Sequence, residues 1–217
     1  MRKILLVLVL GNFLAQAQNS SFADEVTAIN KKYDTLWDAS KPTIVFTGSS
    51  SIRLWKDLEE RFPEHHILNT GFGGSEAYDL LVHLDDLVLK YNPKKVFIYE
   101  GDNDISNGKR PKPIIKTFET IISRIEEKNP EAQLVLISPK PSISRWKLKG
   151  KYKRLNKRLK KLAAGHDKLV FVDVWHIMLN GRKLNKTLFI QDGLHMNTSG
   201  YDLWYKQLKK HVNLTRK

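Results

Sequence analysis

Five short apolar runs punctuate this chain, and longer segments with helical periodicity separate them. The runs are TIVFTG (43–48), HILNTG (66–71), KKVFIYEG (94–101), AQLVLISP (132–139) and KLVFVDV (168–174). Strands that alternate with helices of this length build βαβ units with right-handed crossovers. The predicted fold is therefore a three-layer α/β/α sandwich around a central, mostly parallel five-stranded sheet. The intervening helices are read over SIRLWKDLEERF (51–62), with Ile52, Trp55 and Leu58 on one face, and SEAYDLLVHLDDLVLKY (75–91), with Ser75 as N-cap. Others run from about Lys112 to Lys128, through a basic stretch, and from about Ser199 to Val212.

In such sheets ligands bind at the carboxyl ends of the strands. The first strand runs into GSSS, the second into NTGFGGS and the third into EGDND, and a loop QDGLHMN precedes the last helix. All four turns should open on one edge. Each has a plain reading when taken alone. GSSS can start a helix, GFGGS can be a tight turn, and QDGLHMN can be a surface loop with Asn197 capping the helix. The combination suggests more. A serine hydroxyl is a poor nucleophile until a base takes its proton, and His195 lies three residues after Asp192, which could orient it. Flexible backbone N–H groups in GFGGS and the Asn103 amide could serve a developing oxyanion. GFGGS fails a dinucleotide fingerprint because Glu76 holds the third glycine position. GDNDISNGK fails a calcium loop because it lacks the central glycine and has Pro113 in place of the bidentate Glu.

With no cysteine the chain has no disulfide, thiol nucleophile or thiolate metal site. Its start, MRKILLVLVLGNFLAQAQ, has two basic residues, a short apolar run and an A-x-A pattern, as expected for a secretory signal over 1–17 cut after Ala17. No cysteine stands near the cut to carry a lipid. The expected product is exported, to a periplasm or the medium, with an N-terminal segment over 18–42. The net charge of +14 is concentrated between Arg145 and Lys168, which contains one acid, Asp167. This basic segment (145–161 most densely) could meet anionic surfaces weakly. Leu155, Leu159 and Leu162, however, form one apolar stripe, which favours the solvated face of an amphipathic helix. Export argues against a nucleic-acid partner. Arg145 and Trp146 could line a substrate pocket or simply pack the loop after the fourth strand.

Taken in order, the four turns resemble the blocks of the SGNH/GDSL hydrolase superfamily, and within it the branch similar to platelet-activating-factor acetylhydrolase. The resemblance covers about 43–217 and implies a flavodoxin-like hydrolase domain. It also implies Ser50 as nucleophile, with Ser49 standing where the family usually has aspartate, and Ser51 left to start the helix. Asp192 and His195 complete the implied triad. The implied oxyanion donors are the N–H of Ser50, the N–H of Gly74 and the side chain of Asn103. No metal or cofactor is implied. The expected activity is hydrolysis of small acyl esters, acetyl above all, on a small-molecule or glycan substrate. Two alternatives are a lysophospholipase or other lipid acylhydrolase using the same site, and a non-catalytic polyanion- or carbohydrate-binding protein using the basic helix.

Overall fold

The computed structural model describes residues 22–213 of the 217. The signal-type segment 1–17 lies outside the described residues. Five strands, β1 (Thr43–Gly48), β2 (His66–Gly71), β3 (Lys95–Tyr99), β4 (Gln133–Ile137) and β5 (Leu169–Val172), form one sheet in the order β2-β1-β3-β4-β5. Every pairing in it is parallel. The chain leaves β1 toward β2 on one side and returns to β3 on the other. The loops after β1 and β3 therefore diverge, which makes the carboxyl edge there the topological switch point.

Both faces of the sheet are covered, as an all-parallel sheet requires. Alternate residues of each strand point to opposite sides. Val45, Val96, Ile98, Leu134 and Leu136 join one core, together with helix α1 (22–36), which contributes Phe22, Val26 and Tyr33. Helices α3 (Ala77–Val82), α4 (Leu84–Leu87), α6 (Pro111–Lys128) and α7 (Lys149–Ala163) lie on that face. Phe46, Phe97, Tyr99, Val135 and Ile137 join the other core, with Ile52 of helix α2 (Ser50–Arg53), Trp55, Leu58 and helix α8 (Thr198–Leu208). In α7 Tyr152, Leu155 and Leu159 are buried and Leu162 is half-buried, as the amphipathic reading of that segment expects. Among the described residues no helix is long and apolar enough to cross a membrane.

Two helices depart from the sequence expectation. The one read over 51–62 stops at Arg53, although Ile52, Trp55 and Leu58 are all fully buried. The Asn69 amide, on β2, donates to the carbonyls of Ile52 (2.9 Å) and Trp55 (3.3 Å). The same carbonyls accept the Trp55 and Leu58 N–H groups three residues on, so the backbone closes in turns rather than in i→i−4 bonds. The helix read over 75–91 breaks at His83, and its N-cap is Glu76, which forms a capping box with Asp79. Ser75 does not cap it, because its hydroxyl donates to the buried Glu100 at 2.6 Å. Helix α2 likewise begins at Ser50, one residue before the start expected at Ser51, with Ser49 at the N-cap position.

Candidate active site

Strand register sets the site. Gly48 lies level with Gly71 on β2 and with Tyr99 on β3. Ser50, Gly74 and Asn103 follow two, three and four residues later, so all three emerge on one edge. The three serines separate by environment. Ser49 and Ser51 are 2% exposed, whereas Ser50 is half-buried and presents its hydroxyl at the edge.

Ser50 Oγ lies 3.0 Å from His195 Nε2, and His195 Nδ1 lies 2.6 Å from Asp192 Oδ2. The other Asp192 oxygen accepts the N–H groups of Leu194 (2.8 Å) and His195 (2.9 Å). Desolvation, which alone would raise the Asp192 carboxyl, is outweighed by those N–H groups and the imidazole, and the group sits at about 2. It is an anion throughout the neutral range, so it fixes a proton on Nδ1. Nε2 is then left to accept the Ser50 hydroxyl proton. Asn197 caps α8 by accepting the Gly200 N–H, which anchors the loop behind His195.

The donors expected for an oxyanion are in place on the same edge. Ser50 is the first residue of α2, so its N–H has no helical acceptor. Among the described residues neither that N–H nor the Gly74 N–H enters a hydrogen bond. Gly74 has φ +76° and open space where a side chain would stand. Asn103 Nδ2 donates to the Ser75 carbonyl at 2.8 Å, which sets the amide beside the Gly74–Ser75 turn and, among the described residues, leaves its second N–H free.

Arg145 fixes which way that amide points. Its guanidinium donates to Asn103 Oδ1 at 2.9 Å and to Asp102 Oδ1 at 2.6 Å. A guanidinium has no acceptor and a carbonyl no donor, so only one amide orientation satisfies both neighbours. Asp102 is buried and also accepts from the hydroxyls of Tyr99 (2.8 Å) and Tyr152 (2.7 Å). Burial would raise its carboxyl, but Lys140, Arg145 and Tyr152 outweigh that and hold it at about 2. The fully buried Lys140 lies 3.5 Å from Asp102 and donates to the Leu194 carbonyl at 2.8 Å. One ionic cluster thus joins the Asn103 block to the loop that carries His195. Next to it, burial pushes the Glu100 carboxyl well up; the Ser75 hydroxyl opposes this and Asp104, Asp79 and Asp102 add to it. A neutral Glu100 fits its second oxygen, which has no partner among the described residues.

All five residues expected from sequence, Ser50, Gly74, Asn103, Asp192 and His195, therefore meet at one edge. Sequence reasoning left Arg145 undecided and passed over Lys140, Asp102 and Tyr152. Trp146 stacks on Trp175 with ring centroids 6.1 Å apart, as loop packing would have it.

Known proteins agree with this architecture. A structure from Streptococcus pneumonia, described provisionally as a platelet activating factor, is 25% identical with a TM-score of 0.79, covering 93% of this chain and 99% of its own. A GDSL-like lipase from Bacteroides thetaiotaomicron VPI-5482 is 22% identical with a TM-score of 0.71, covering 83% and 95%. A carbohydrate esterase family 3 structure from Talaromyces cellulolyticus, 15% identical, shares the fold with a TM-score of 0.66, covering 78% and 95%. A comparison with curated proteins finds no match. The model of the GDSL-like lipase/acylhydrolase family matches residues 37–203, most of the chain. The chain belongs to that ester-hydrolysing family.

Proposed function

We propose that this protein is a serine esterase that removes short acyl groups, acetyl foremost, from small-molecule or glycan esters. The observation that carries the reading is the unbroken line from Ser50 Oγ through His195 to Asp192, at 3.0 and 2.6 Å. His195 Nε2 takes the hydroxyl proton as Ser50 Oγ attacks the ester carbonyl, and Asp192 stabilises the imidazolium that forms. The oxyanion is held by the N–H groups of Ser50 and Gly74 and the free N–H of Asn103. Each such donor contributes about 3 kcal/mol in the transition state. His195 then protonates the departing alcohol. Water, deprotonated by the same imidazole, splits the acyl-serine and releases the acid.

Two features favour a short acyl group on a glycan alcohol. The exposed large apolar side chains closest in the fold to the His195 loop are Ile143, packed on Gly193, and Ile190, whose N–H donates to the His195 carbonyl. Two isoleucines can cover an acetyl or propionyl group but not a long alkyl tail. The fold shared with a carbohydrate esterase makes a sugar ester a natural test substrate. A series of nitrophenyl esters from acetyl to octanoyl, run beside acetylated xylan and acetylated peptidoglycan, checks this. The expected kcat/KM is highest for acetyl and falls at least tenfold by octanoyl. A rise with chain length would instead mark a lipid acylhydrolase.

A further inference from the structure

The loop after helix α5 (Asp102–Ser106) and the start of α6 face α7 across a cleft of about 560 Å³. Six cationic side chains line it: Lys109, Arg110, Lys112, Lys151, Arg154 and Arg158. The rest of the lining is Gly108 and Pro111, so the cleft holds no acid and no aromatic ring. Of the six, only Lys109 is ion-paired among the described residues, with Glu76 and Asp104. Lys151, Arg154 and Arg158 are spaced i, i+3, i+7 and so share one face of α7. The adjacent face of that helix turns Tyr152 and Leu155 to Asp102 and Gly101. A second concavity, lined by Lys112, Pro113, Ile115, Lys116, Glu119 and Arg158, adjoins the cleft through Lys112 and Arg158. Gathering so many like charges in a concave site is unfavourable unless a counter-charge fills it.

We infer that this cleft binds a polysaccharide carrying carboxylate or sulfate groups. Guanidinium groups match such planar or trigonal anions bidentately. Its volume is that of a ligand pocket. Single-stranded nucleic acid is held on aromatic platforms, and the cleft has none. Membrane surfaces are met by faces that also insert apolar side chains, which this lining does not offer. Asn103, in the first turn of α5, stands five residues before Gly108 in the cleft wall, about 7.5 Å at the helical rise. A chain held in the groove would thus extend toward Ser50. As a subsite for substrate this rests on the esterase reading; as a binding site it stands apart from it.

Binding of the intact protein to polygalacturonate, dextran sulfate, uncharged dextran, a single-stranded oligonucleotide and phosphatidylserine vesicles decides the matter. The expected result is salt-sensitive binding to polygalacturonate or dextran sulfate and none to dextran. Which of the two binds separates carboxylate from sulfate recognition. Arg110→Gln, Arg154→Gln and Arg158→Gln combined should weaken it at least tenfold, with an unchanged thermal midpoint. Unweakened binding by that folded variant, binding to neither polysaccharide, or tighter binding to the oligonucleotide or vesicles would overturn the proposal. If the triple variant does not fold, Arg154→Gln alone should still weaken binding at least threefold, and no change there has the same overturning force. Wild-type turnover of nitrophenyl acetate reports on the esterase separately. Binding without turnover would keep the cleft and remove the esterase, and turnover without binding would do the reverse.

Discussion

Replacing Ser50 with alanine should lower kcat on nitrophenyl acetate at least about 10⁴-fold, with KM nearly unchanged and the thermal midpoint kept. That fall is about 5.4 kcal/mol of transition-state stabilisation, the scale expected when a triad loses its nucleophile. The reasons are local. Among the described residues the only side-chain hydrogen bond of Ser50 is to His195, the residue is half-buried, and alanine is well suited to the first turn of α2. Residual catalysis from the oxyanion donors should remain above the rate in water. A variant within tenfold of wild type would remove Ser50 from the chemistry.

The second large effect falls on stability. Gly48→Ala should cost more than about 3 kcal/mol, because φ at this position is +120° and an added Cβ would lie 2.0 Å from the Tyr99 carbonyl oxygen. Neither chain can move aside cheaply. The Ser49 N–H donates to that Tyr99 oxygen (3.0 Å), and the Phe72 N–H donates to the Gly48 carbonyl (2.8 Å). Against a typical total of 5–15 kcal/mol the loss is severe. For a domain of this size it corresponds to a drop of about 6–12 °C or more in Tm, read by circular dichroism. A midpoint within 2 °C of wild type would show that the β1 turn has another conformation. The glycine before the serines thus serves strand packing, and the close approach of β1 and β3 is what brings Ser50 and Asn103 together.

The strands and the residues gathered at their carboxyl edge were legible because each leaves a local mark: an apolar run ending in a polar, glycine-bearing turn. What was not legible depends on distant partners. Ile52, Trp55 and Leu58 have helical spacing and are buried, yet the backbone there closes in i→i−3 turns whose carbonyls Asn69, distant in sequence, also holds. Ser75 looks like a cap until Glu100, just past the end of β3, claims its hydroxyl. Lys140 and Arg145 read as ordinary loop cations, and only the folded chain shows that they converge on Asp102. A short motif can also mislead. Asp173 and His176 repeat the Asp-x-x-His spacing, with His176 Nδ1 at 2.6 Å from Asp173 Oδ2, but among the described residues no serine meets that imidazole. Order along the chain and a shared sheet edge, more than any one motif, distinguish Asp192 and His195.

The central claim, that Ser50 alone of the three adjacent serines is the activated nucleophile, is tested most directly by its covalent chemistry. A fluorophosphonate ester reacts with a serine whose proton a base removes. Intact-mass and peptide analysis after labelling should give one adduct per chain, located on Ser50, and none in Ser50→Ala or after denaturation. Labelling of Ser49 or Ser51, or an adduct that survives the Ser50→Ala change, would contradict the account.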